Sequence, residues 1–150
     1  MSTNMYRSNL TRQSLTDSDL LILLGISQWV FNSNCHFVIE MIDKEHHGNS
    51  DVSWFEFLSL TAGQINNNYA DIINTVLGVE ISELFHDLIN RRNKIMHSFP
   101  TGEKPDGYPI PMYRKSINDP YISIDKKYLE QFIADNSELS SKINEKRSHL

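Results

Sequence analysis

The sequence predicts an all-α protein: a four-helix up-down bundle with a Pro/Gly-rich insert or small hairpin before the last helix. Three observations predict it. Apolar residues recur at helical spacing in several long segments. Cap-like residues precede them. Four of the five prolines fall within residues 101–120, a stretch that cannot be regular helix. With 150 residues the chain suits one domain with a real core, 1–150.

Residues 1–14 are rich in Ser, Asn and Thr and read as a loose arm. Thr16 and Asp19 have capping-box spacing, with Asp in place of the usual Glu. The segment LLILLGISQWVFNSNCHFVIEMIDK that follows reads as a long helix. Its nearly continuous apolar start suggests burial on more than one face, as in a bundle centre or an oligomer seam. EHHGNSD breaks it. Ser53 and Glu56 form a capping box for a second helix, which Gly78 terminates. A third helix starts near Glu80 and ends before Pro100 and Gly102. PMYRKS and YISI are compatible with a small hairpin around Asn118-Asp119-Pro120. Asp125 caps a last helix whose Tyr128, Leu129, Phe132, Ile133, Leu139 and Ile143 face the body.

The net charge of −5 argues against a generally basic nucleic-acid coat, while leaving room for a local basic site. One cysteine, Cys35, rules out an intrachain disulfide and a CxxC pair, which points to a reducing cytoplasm. The first thirteen residues lack the apolar core of a secretory signal. The longest apolar run is too short for a membrane span, so no membrane association is expected.

LINRRNKIMHSFP, residues 88–100, carries the chemistry. On an ideal helix Ile81, Leu84, Phe85, Leu88, Ile95 and Met96 form one stripe, with Arg92 near its middle and Arg91 at its edge. A guanidinium there is costly unless it is paired or reaches a wet cavity, so Arg92 is expected to face a polar pocket or a subunit seam. His97 lies off that face, roughly 140° round and about 7.5 Å along. The two converge if the helix ends near His97, if the arginine arm curls round, or if a second subunit brings its own copy. Asn93, one turn before His97, is placed to orient the imidazole. Histidine moves protons near neutral pH, and an arginine fork stabilises charge on a phosphate. RNA supplies its own nucleophile, the 2′-hydroxyl. The pair is therefore suited to cleaving RNA without metal or cofactor, leaving a 2′,3′-cyclic phosphate.

Arg92, Asn93, Lys94, Ile95, Met96 and His97 resemble the R-x4-6-H motif of HEPN-domain ribonucleases in its Arg-Asn-x-x-x-His form. The resemblance covers these six residues and a generic bundle pattern. It implies a HEPN-type helical bundle that dimerises with the motif at the seam. It also implies metal-independent endoribonuclease activity, a toxin or anti-phage role, and room for an antitoxin or regulatory protein. Inactive members only bind, so a non-catalytic dimerisation module for RNA or a protein partner is the alternative. Family toxins controlled by AMPylation often carry Tyr two residues after the histidine; here Phe99 has no hydroxyl to modify. Arg91 to His97 also fits R-x5-H, but Arg92 is the preferred motif arginine, because Asn93 follows it and it sits mid-stripe.

Arg91 and Lys94 are candidate substrate contacts, or cations that complement the helix dipole. Lys104, Arg114 and Lys115, with Tyr108 and Tyr113, are candidate contacts to single-stranded RNA, or residues of a tolerated surface loop. His46 and His47 with Asp43, Glu45 and Asp51 lack metal-ligand spacing, and no metal is assigned. Cys35 beside His36 reads as packing.

Overall fold

The computed structural model describes residues 10–45, 62–103 and 108–149. Four helices and a small sheet account for most of them: α1 (Ser18–Glu45), α2 (Ala62–Leu77), α3 (Val79–Met96) and α4 (Lys126–Ser148), with β1 (Phe99–Glu103), β2 (Pro109–Tyr113) and β3 (Ile122–Ser123) between α3 and α4. The protein is thus predominantly helical, with a sheet that an all-α reading leaves out. The expected Ser53–Glu56 capping box, His46, His47, Asp51 and Lys104 lie outside the described residues.

Helices α1 and α4 start where a side chain satisfies a free amide. For α1 the cap is Asp17 and not Thr16: the Asp17 carboxylate accepts from the Asp19 amide at 3.0 Å. Asp125 caps α4, accepting from the Tyr128 amide at 2.9 Å. Gly78 alone separates α2 from α3. Its φ of 90° and ψ of 161° lie outside the left-handed helical well, so it turns the chain directly from one helix into the next.

The helices pack in a ring, α1 on α2 and α4, α3 on α2 and α4. Phe31, Met41, Ile42, Ile73, Phe85, Leu88, Phe132, Leu139 and Ile143 form the main core. A smaller cluster of Leu20, Ile124 and Leu129 closes one end, and Ile95 packs against both. Cross-helix contacts fix the directions. Asp17 meets Lys126, Phe31 meets Phe132, Asn34 meets Asn136 and Glu40 meets Arg147, so α1 and α4 run parallel. Glu80 meets Lys142 and Arg91 meets Asp135, so α3 runs against α4. Strict up-down alternation would make the first and last of four helices antiparallel. The expected up-down order therefore fails among the described helices, because the side chains that α1 and α4 share pair in the parallel sense.

Asn34 and Asn136 are buried where α1 crosses α4. The Asn34 amide donates to both the backbone and side-chain oxygens of Asn136, at 2.9 and 3.0 Å, and Asn136 donates back to the Phe132 carbonyl. The pair ties one register of the two helices.

The expected hairpin is present as β2 and β3, with Met112 opposite Ser123 and Tyr113 opposite Ile122. β1 joins on the other side of β2. Pro100 stands opposite Pro111. An antiparallel ladder alternates pairs that exchange hydrogen bonds with pairs that do not, and two facing prolines fit only the second kind.

Candidate functional site

Helix α3 buries Ile81, Phe85, Leu88 and Ile89. The same side then presents two half-buried arginines with different fates. Arg91 is fastened: it pairs with Asp135 at 2.7 Å and Asp87 at 3.1 Å, and its guanidinium carbon lies 5.7 Å from the centre of the Phe132 ring. Its carbonyl accepts from the Tyr128 hydroxyl at 3.1 Å. Burial pushes that phenol up to about 12, so it stays a donor at neutral pH.

Arg92 has no ion pair among the described residues, and its buried Nε has no hydrogen-bond partner there. Its guanidinium lies 5.6 Å over the Phe31 ring. Phe31 in turn tilts against Phe132, so two arginines straddle one buried aromatic pair. The face of an aromatic ring attracts the cation but gives its N–H groups no acceptor. Arg92 thus keeps hydrogen-bonding capacity to spare. Neighbouring Cys35 is pushed up to about 12 by burial, against the opposing pull of Arg92, so the thiol stays protonated and packs as a small apolar group.

The helix ends one residue before His97, which forms its C-cap with the backbone amide bonded to the Asn93 carbonyl at 2.9 Å. The imidazole is exposed and has no partner among the described residues. Asn93 and Lys94 are half-buried, and their side chains are likewise unpaired among those residues. The structure therefore links Asn93 to His97 through the backbone and not through the expected side-chain contact. It places Arg92 against α1 and His97 at the helix tip, with no contact between them.

In the insert, Tyr113 packs into the cluster around Leu20, Ile124 and Leu129, which removes it from the candidate stacking residues. Arg114 lies 4.3 Å over Tyr121 and donates to the Ile117 carbonyl at 3.3 Å, while Lys115 is exposed. Sequence reading missed Tyr121, Asp135 and the Asn34–Asn136 pair. Only Tyr121 carries a local signal, as an aromatic next to a turn proline.

A second surface stands out on α1. Residues 20–39 contain no Asp, Glu, Lys or Arg, although 22% of the chain is charged. Ile22, Ile26 and Trp29 are exposed, Trp29 to 77%, beside a groove of about 490 Å³ that runs from Gly25 to His36. The N-terminal half of α1 lies at the same end of the bundle as His97, because Ile95 packs with Leu20, Leu23 and Leu24.

No protein-family model, curated protein or solved structure matches the chain. Among the described residues no helix is long and apolar enough to cross a membrane. The chemistry of the α3 tip therefore has to be read from its own side chains.

Proposed function

We propose that the protein is a dimeric, HEPN-type endoribonuclease that needs no metal. One observation carries the reading: Arg91 is ion-paired to Asp87 and Asp135, while Arg92, next to it, rests over the Phe31 ring with no ion pair among the described residues. This favours Arg92 as the motif arginine and Arg91 as its structural support. The exposed His97 at the helix end suits a site completed by a second copy.

In this reading the RNA 2′-hydroxyl oxygen attacks the adjacent phosphorus as its proton passes to His97. The bond to the 5′ oxygen breaks, and that oxygen takes a proton from the partner subunit's His97, in its imidazolium form. The products are a 2′,3′-cyclic phosphate and a 5′-hydroxyl, with no water consumed. Arg92 donates to the phosphate oxygens as charge builds on them. Asn93 and Lys94 border the same phosphate, and Arg114 and Lys115 reach the flanking strand. A cytoplasmic toxin or anti-phage effector, held in check by an antitoxin or regulatory protein, is the setting this chemistry suits.

The uncharged stripe on α1 favours a second reading, a non-catalytic module that binds RNA or a protein partner through a dimer. The two separate in one experiment. The purified protein and its His97→Ala variant are incubated with total bacterial RNA in excess chelator, and the cut ends are mapped. Cyclic-phosphate ends made by the unmutated protein alone support the ribonuclease. Intact RNA beside a folded dimer, across several RNA pools, overturns it in favour of the binding module.

A further inference from the structure

We propose that Phe99, Tyr121 and Arg114 form a stacking subsite for an unpaired nucleobase next to the phosphate at His97. This rests on the ribonuclease reading for its place beside the cut, and on the geometry of the sheet for its chemistry. Phe99 and Tyr121 come from opposite sides of the insert, yet their ring centres are 6.2 Å apart at an interplanar angle of 76°. Both rings stay open to solvent, Phe99 to 46% and Tyr121 to 45%. Two touching aromatic rings that remain half exposed leave adjoining apolar area open to a flat ligand.

The occupant follows from what surrounds the rings. Arg114 lies flat enough over Tyr121 to put its guanidinium carbon 4.3 Å from the ring centre, and Lys115 follows it in the chain. Asp119, the carboxylate in this turn, is held by the Ser116 hydroxyl at 2.8 Å. Aromatic faces interleaved with cations are what a single strand requires: a ring for each base and a positive charge for each phosphate. A duplex hides its base faces, so the ligand class is single-stranded RNA or a splayed loop. Phe99 is two residues from His97, within about 7 Å along the chain. A base on Phe99 therefore belongs to a nucleotide flanking the phosphate presented to His97. A cavity of about 260 Å³, bounded by Ile95, Ser98, Phe99 and Pro111, opens beside that ring and gives such a base room to turn out of its stack.

The test measures binding apart from cleavage. A fluorescent ten-nucleotide RNA of mixed sequence is titrated onto His97→Ala protein, and onto His97→Ala carrying Phe99→Ala, Tyr121→Ala or Tyr121→Phe. Circular dichroism checks that each variant is folded. Both alanine variants are expected to weaken binding about tenfold or more, Tyr121→Phe to bind normally, and a duplex of the same sequence to compete poorly. Equal affinity in all four folded proteins, or equal competition by the duplex, overturns the subsite even where the unmutated protein cuts RNA. Failure of the ribonuclease reading looks different: no cleavage by the unmutated protein, with the stacking losses intact. If the His97→Ala protein does not bind the oligonucleotide at all, the exposed rings are not an RNA surface and the proposal falls.

Discussion

The guanidinium of Arg92 rests 5.6 Å over the ring of Phe31 with no counter-ion among the described residues, one residue from an arginine that has two. The two substitutions are therefore expected to differ in kind. Arg92→Ala lowers RNA cleavage about 100-fold or more while the urea midpoint moves little. Arg91→Ala strips Asp135 of its ionic partner at the α3–α4 contact, leaving it the Gln131 amide alone, and costs about 1–3 kcal/mol of stability. Comparable unfolding curves for both variants would remove the assignment of support to Arg91 and chemistry to Arg92.

Asn34→Ala deletes both hydrogen bonds to Asn136 and leaves a small void between α1 and α4. A loss of about 2–4 kcal/mol in urea unfolding is expected. The double variant Asn34→Leu, Asn136→Leu replaces donor and acceptors together and should recover most of it. A double variant no more stable than Asn34→Ala would mean that the amides are needed for more than mutual satisfaction.

Two half-buried acids make the fold sensitive to alkali. Cys35 rises from 9.0 to about 12 on folding, and Tyr128 from 10.0 to about 12, both through burial. In that interval the unfolded chain has released protons that the folded chain still holds, so the unfolded state gains and stability falls as pH rises. Stability should be level below about pH 8.5 and decline toward pH 12, less steeply in Cys35→Ala. At pH 8 in native buffer the thiol should resist alkylation, then react promptly in urea. Rapid native labelling would contradict the buried, protonated state.

Trp29 is the largest exposed ring on an uncharged helix face in an acidic protein. Two copies with a charge of −5 each repel unless a neutral face meets a neutral face. Trp29→Glu puts a carboxylate on that face in each copy. On the proposed dimer, sedimentation should show the unmutated protein as a dimer and Trp29→Glu as a monomer with unchanged circular dichroism. A dimer that survives Trp29→Glu would move the seam off α1.

Much of this was legible in the chain. The 3.6-residue period exposed α1, α3 and α4, Asp125 announced the last helix, and the β2–β3 hairpin followed from its turn residues. Arg92 could be seen to break an apolar stripe because a helix has a fixed rotation per residue. Its resting place on Phe31 could not, since the two residues meet only when α1 and α3 pack. The same holds for the parallel course of α1 and α4, which depends on contacts about a hundred residues apart, such as Asn34 with Asn136. β1 was missed because Pro100 argues against a strand, and only its place on an edge, at a position that exchanges no hydrogen bond with β2, makes it tolerable. Thr16 was mistaken for Asp17 at the start of α1 because capping depends on a backbone turn that composition does not specify.

Pro100 also bears on how the molecule behaves in a crowded solution. Because it forms no hydrogen-bonded pair with Pro111, its backbone position faces away from β2, where an incoming strand would look for a donor, and a proline has none. The outer margin of β1 is thereby a poor template for another copy of itself. The protein can then present an uncharged helix face to its surroundings while the β1 margin offers an incoming strand no donor at Pro100.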